Sequence, residues 1–507
     1  MTLLQSLPAE LICQILGYLQ PTTKLHEYHI AEEQRWDVTH WGRTLAAVAR
    51  TCRTLHAIAT PLLYSRYEAA FHSPVIPFID RSTVENPRHQ GVRHVAIRTD
   101  GTTTDKYTPT PERVSEYRIW ARDSEVDSDG LSGTTTLTSE DAAQMELWRL
   151  ISQAPNLETL SVTAITWRRE YVCSNDQPPV WILPVVSAAK SVQVDLKYSG
   201  WFQKLHTLSF NMHGQCGIWL IQLLSLPCLK SLSLGSWGIQ PYDDWEVSLV
   251  WPEPTATSGV RDLSFGDASV PADVIVRIAD YCMALESFRC YRAWDNRAGA
   301  DERGRQWCGE ILAGLQRHSQ TLKSLVLYPS DRHYPWNFDK QYGRLRGFET
   351  LVALKSLDVP WHVIMGSPVG IKNEDGHWVP VGDFRYPSLH DVLPKNLRHL
   401  RINKTERSTP GCAGIEQALS SVLPFSDAEG NGVLLNKIEL FYNGAHYHKP
   451  LPLNFWRMQD AFQKAGVKFK YMFKLDPEDF CKPCQISTIY LLTFKQGGSM
   501  AKAPSII

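Results

Sequence analysis

The chain has 507 residues, of which 43% are hydrophobic and 21% charged, and its formal net charge is −1. This composition excludes disorder throughout, and the balanced charge removes the electrostatic reason to expect nucleic acid or an anionic membrane as the main partner. The eleven scattered cysteines, an odd number, read as reduced thiols of an intracellular protein, so the expected location is cytoplasmic or nuclear. Residues 1–19 are apolar but hold Glu10 and no basic residue before Lys24, unlike a secretory signal. The apolar run 218–229 contains Gln222 and Pro227 and is too short to span a bilayer.

Three short helices are predicted at the start. After Leu7 and Pro8, the residues Leu11, Ile12, Ile15, Leu16 and Leu19 fall on one stripe at helical spacing, with Pro8 in the first turn and Pro21 ending the helix. A second helix fits Leu45, Val48, Ala49 and Cys52, and a third fits Leu55, Ile58, Ala59, Leu62 and Leu63, with Pro61 expected to bend or end it. Three helices this short cannot bury all of these side chains among themselves. Apolar faces left over on a small module belong to a partner.

The segments Leu7-Pro8-Ala9-Glu10-Leu11, Ile15-Leu16, Leu19, Arg50-Thr51-Cys52-Arg53-Thr54-Leu55 and Pro61-Leu62-Leu63-Tyr64 resemble an F-box. The stretch 20–41, with His26, His29, His40, Glu32 and Glu33, is longer than the link usual in that family. The resemblance implies docking to a Skp-type adaptor of SCF ubiquitin ligases. The residues expected to carry it are Leu7, Pro8, Leu11, Ile12, Ile15, Leu16, Leu19, Leu45, Val48, Cys52, Leu55, Leu62 and Leu63. The alternative is a helical cap on the repeats that follow.

From residue 98 to 142 the chain is polar, rich in threonine, and carries Asp123, Glu125, Asp127 and Asp129, which predicts a loop. A six-residue phrase, apolar-x-x-apolar-x-apolar, recurs ten times, starting at Val92, Leu157, Leu205, Leu229, Val260, Leu285, Leu322, Leu354, Leu397 and Leu435. Helical segments are predicted before many of the phrases, at 145–151, 218–224, 272–282, 307–315, 348–351 and 415–422. A last helix is expected at 455–465 and a closing strand at 469–475. A helix-and-strand unit repeated in this way must stack on its neighbours to bury its apolar face.

This part resembles the leucine-rich repeats that commonly follow an F-box. The expected fold class is therefore α/β: a solenoid with a curved parallel sheet and helices on the convex side, preceded by a small all-α module. The expected division is a helical module at 1–70, a first repeat with its loop at 71–145, the solenoid at 146–475 and a tail at 476–507. The asparagine usual in such repeats is replaced by Ile165, His213, Trp237, Ala268, Ala293, Ser330, His362 or Thr405. The aromatics Trp167, Trp237, Trp294 and Trp361 either fill those turns or form a rim.

Strand alternation places the residues between the apolar positions on the concave face. They are small and neutral in the first half, as in Thr159, Ser161, Thr207 and Ser209. In the second half they include Arg289, Tyr291, Tyr328, Asp358, His399, Arg401, Lys437 and Phe441, types that supply interface hot spots. A client protein is expected there. No phosphate loop, nucleophile elbow or zinc-protease helix occurs in the sequence. Cys481 and Cys484 with His446 and His448 are weak zinc candidates, so neither a cofactor nor a metal is expected. The function expected is a non-enzymatic substrate-recognition subunit of an SCF-type ubiquitin ligase. A non-catalytic repeat scaffold is the alternative.

Overall fold

The computed structural model describes residues 7–18, 43–70, 91–98, 147–162, 178, 180–191, 201–212, 219–235, 257–268, 270–292, 300–328, 345–366, 370–372, 378–380, 388–405, 418–422, 435–444, 454–475 and 489–490. The chain divides into two compact units, one of Met1–Val270 with Asp280–Met283, the other of Pro271–Ala279 with Ala284–Ile507.

The first unit starts with three helices: α1 (Ala9–Tyr18), α2 (residues 43–49) and α3 (Arg53–Ser65). The Pro8 carbonyl accepts from the N–H groups of Leu11 and Ile12, so this proline sits at the helix entrance where its missing N–H costs nothing. Cys52 does not extend the face of α2. Its backbone is extended and its Sγ accepts from the Leu55 N–H at 3.5 Å, making it the N-cap of α3. Nor does Pro61 end α3, which continues to Ser65.

Helix α3 runs straight into β1 (Arg66–Ala70), the first of six parallel strands hydrogen-bonded in chain order. The others are β2 (His94–Arg98), β3 (Thr159–Val162), β4 (Thr207–Asn211), β5 (Ser231–Gly235) and β6 (Asp262–Ala268). Strand β1 lies outside the ten phrases, because Tyr67 and Ala69 occupy its alternating positions where the phrase demands aliphatic residues. The module therefore shares its last helix with the sheet rather than being followed by a linker.

The second unit repeats the arrangement. Strands β7 (Ser287–Arg292), β8 (Ser324–Tyr328) and β9 (Ser356–Pro360) are parallel neighbours, as are β12 (His399–Thr405), β13 (Lys437–Gly444) and β14 (Lys468–Leu475), with β9 paired to β12. Between them, β10 (Gly370–Lys372) and β11 (Trp378–Pro380) form a separate antiparallel pair, and β15 (Ile489–Tyr490) adds antiparallel to β14.

All ten phrases fall on these strands, and within each unit they pair with no register offset. Leu160, Leu208, Leu232 and Leu263 are successive partners in the first unit. Leu325, Leu357, Leu400 and Ile438 are successive partners in the second. All of these side chains are buried. Each contributes roughly 1.5–3 kcal/mol by leaving water.

A backbone ladder closes the start of each strand. The carbonyl of the residue just before a strand accepts two consecutive N–H groups from the next repeat. Arg93, Glu158, His206 and Lys230 do so in the first unit and Glu286, Lys323, Lys355 and Arg398 in the second, at 2.7–3.3 Å. The strand entrances are thereby satisfied without side chains.

Helices pack on the apolar side. In the first unit they are residues 147–152, Leu183–Ser191 and Leu220–Leu224; in the second they are Ala272–Asp280 (apart from its last residue), Ala300–Gly314 and Asn454–Lys464. A Cβ at Gly314 would lie 2.4 Å from Val276 Cγ1, so the approach of those two helices requires glycine. Residues 348–351, expected to be helical, form a turn, while Trp361–Met365 is an unexpected short helix. Its Trp361 is fully buried, so this tryptophan belongs to the core at a helix start and forms no rim. Trp167, Trp237, Trp294 and the threonine-rich segment lie outside the described residues.

Candidate binding surfaces

The helical stripe of α1 divides between two neighbours. Ile12 (1% exposed) and Leu16 (3%) enter a core with Leu45, Ala49, Leu55 and Ala59. Leu7, Val48, Cys52, Ile58, Leu62 and Leu63 are partly buried against that core. Leu11 and Ile15 remain 44% and 43% exposed, with Pro8 also exposed. Leu11/Ile15 and Ile12/Leu16 are each spaced i, i+4 and lie about 100° apart around the helix. One row is therefore used by the module itself and the other is left outward. Leu19 and the histidine-rich insert lie outside the described residues.

In the second unit, the non-core face of the sheet gathers the residues singled out in the sequence. Tyr291 and Tyr328 are register partners, and their rings stack 5.2 Å apart. The Tyr328 hydroxyl donates to Asp358 Oδ1 at 2.5 Å, and Arg401 Nε lies 3.6 Å from Asp358 Oδ2. The Arg401 guanidinium sits 5.7 Å from the centroid of the Phe441 ring. On the same face His399 Nε2 lies 2.9 Å from Glu439 Oε2, and Lys437 Nζ lies 2.7 Å from Glu439 Oε1. Arg289 shares the face, half-buried, and has no ion pair among the described residues.

Burial pushes the Asp358 carboxyl above its ordinary range despite the opposing effects of Arg401 and the Tyr328 hydroxyl. Burial, followed by the neighbouring Asp358 carboxylate, drives the Tyr328 hydroxyl well above its ordinary value. For Glu439 burial also pushes upward, but the bonds from Lys437 and His399 outweigh it and hold the carboxyl low. Glu439, Lys468 and Lys470 belong to this face but were not among the expected client residues. The alternation of Lys468 and Lys470 with Phe469 and Tyr471 was the signal available for the two lysines.

Tyr328 is locked onto Asp358, and among the described residues no group of three metal-ligating side chains occurs. Cys481, Cys484, His446 and His448 lie outside the described residues. No described helix is long and apolar enough to cross a membrane.

A family model described as F-box-like matches residues 4–68, which span the three helices and enter β1. No curated protein matches the chain. The chain thus carries an F-box-like domain joined to a repeat-like parallel sheet with helices.

Proposed function

We propose that this protein is the substrate-recognition subunit of an SCF-type ubiquitin ligase, its repeats being of the leucine-rich kind. The observation that carries the reading is the F-box-like module itself: α1 closes the module's core with one row and presents Leu11 and Ile15 outward with the other. An adaptor of the Skp family would cover that row, each side chain adding at most about 1.5–3 kcal/mol. The polar face around Tyr291, Tyr328, Asp358, His399, Arg401, Lys437 and Phe441 would hold a client protein. The chain supplies no chemistry; it raises the client's concentration beside the charged ubiquitin-conjugating enzyme.

The test is an adaptor pull-down with wild type and with Leu11→Asp/Ile15→Asp. Both positions are outward, so the module should keep its helical circular dichroism while adaptor recovery falls by an order of magnitude or more. Undiminished recovery would remove the adaptor and leave a repeat scaffold.

A further inference from the structure

Among the described residues, the polar face of the second unit carries an excess of cations, in a chain that is nearly neutral overall. Register carries one row through Ser356, His399, Lys437 and Lys468, and the next through Asp358, Arg401, Glu439 and Lys470. Among the described side chains of β7–β9 and β12–β14, this face holds five permanent cations (Arg289, Arg401, Lys437, Lys468 and Lys470) against two carboxylates (Asp358 and Glu439). Both carboxylates are consumed internally, by Tyr328 and Arg401 in one case and by His399 and Lys437 in the other. Lys468 and Lys470 are exposed and have no ion pair among the described residues. One further atom on this face, Asn403 Oδ1, is buried and without a hydrogen bond among the described residues.

We infer that the client element recognised by this face is an extended, Asp/Glu-rich protein segment lying across strands β12–β14, an inference that rests on the client reading above. Neighbouring strands are about 4.8 Å apart and successive residues of an extended chain about 3.3 Å apart, so a run of carboxylates crossing the strands passes within reach of Lys437, Lys468 and Lys470. Complementary charge of this kind sets encounter rate and selects partners. The Tyr291–Tyr328 stack and Phe441 supply apolar contact beside it.

The probe is a fluorescein-labelled octa-glutamate peptide, titrated into the full chain at low and high salt. Octa-lysine and an oligonucleotide of equal negative charge serve as comparisons. Octa-glutamate should bind with salt-weakened affinity and octa-lysine should not. Lys468→Glu/Lys470→Glu should weaken octa-glutamate about tenfold or more, since like charges facing one another repel, whereas Lys395→Glu, off this face, should leave it unchanged. Absence of octa-glutamate binding, indifference to the Lys468/Lys470 reversal, or equally tight oligonucleotide binding overturns the inference. Proximity labelling with Arg289→Glu/Tyr291→Ala tests the client reading separately. If that variant loses labelled proteins while octa-glutamate never binds, the acidic-segment inference falls and the client face stands.

Discussion

On the first unit's polar face the middle strands β3–β5 carry the register rows Thr159, Thr207, Ser231 and Ser161, Ser209, Ser233, small hydroxyl side chains that are mostly buried, with Arg66, His94 and Asp262 at the ends of the first row. On the second unit's face the equivalent rows carry Arg289 together with Tyr291, Tyr328, Asp358, His399, Arg401, Lys437 and Glu439, the last seven tied into two groups by stacking, hydrogen bonds and ion pairs. Behind these faces, the apolar ladders and the bifurcated backbone bonds at the strand entrances are alike. Six parallel strands can thus be built twice from one pattern while the middle strands of the two copies carry different polar side chains. The scaffold demands the apolar positions and leaves the alternate ones free, and that freedom is where the two units part.

Substitutions that treat the two units alike, and others that do not, can break or sharpen this contrast. Leu208→Ala and Leu357→Ala, equivalent ladder positions, should each cost about 2–5 kcal/mol in denaturant unfolding; a large disparity would deny a common core. Ser209→Leu on the first polar face should cost about 1–3 kcal/mol by overpacking, because Ser209 is buried. Arg289→Ser on the second should change stability by no more than about 0.5 kcal/mol yet reduce client capture in proximity labelling.

His362 adds a pH signature to the second unit. Burial lowers its pKa from 6.5 to about 3, so the folded imidazole stays neutral where the unfolded one takes up a proton. Its contribution to stability is present above pH 6.5 and is lost as pH falls from there towards about 3. The loss is about 1.4 kcal/mol per pH unit. His362→Gln should flatten the unfolding profile relative to wild type over that window, and parallel profiles would refute the assignment.

The sheet was legible because its apolar phrase forces strand period, direction of burial and stacking together, and ten copies are hard to satisfy otherwise. The polar face followed by alternation alone, although the Tyr328–Asp358–Arg401–Phe441 chain needed coordinates, since its members lie in different repeats. Other features left no periodic signal. Strand β1 has tyrosine and alanine at its apolar positions, and the helix Leu183–Ser191 is apolar around most of its circumference. The stripe on α1 predicted a buried face but not how it divides: Ile12 and Leu16 turn inward because Leu45, Leu55 and Ala59 meet them, a tertiary fact. Cys52 fitted a helical spacing by coincidence, as a cap that closes the turn before α3.

Two distinct surfaces are proposed, an adaptor row on α1 and a client face on the second unit's sheet. The most direct test is proximity labelling in cells with three versions of the full chain: wild type, Leu11→Asp/Ile15→Asp, and Arg289→Glu/Tyr291→Ala. The α1 variant should lose the Skp-type adaptor and cullin while keeping the other labelled proteins, and the face variant should do the reverse. Loss of both sets in either variant with the fold intact, or of neither in both, would contradict the division.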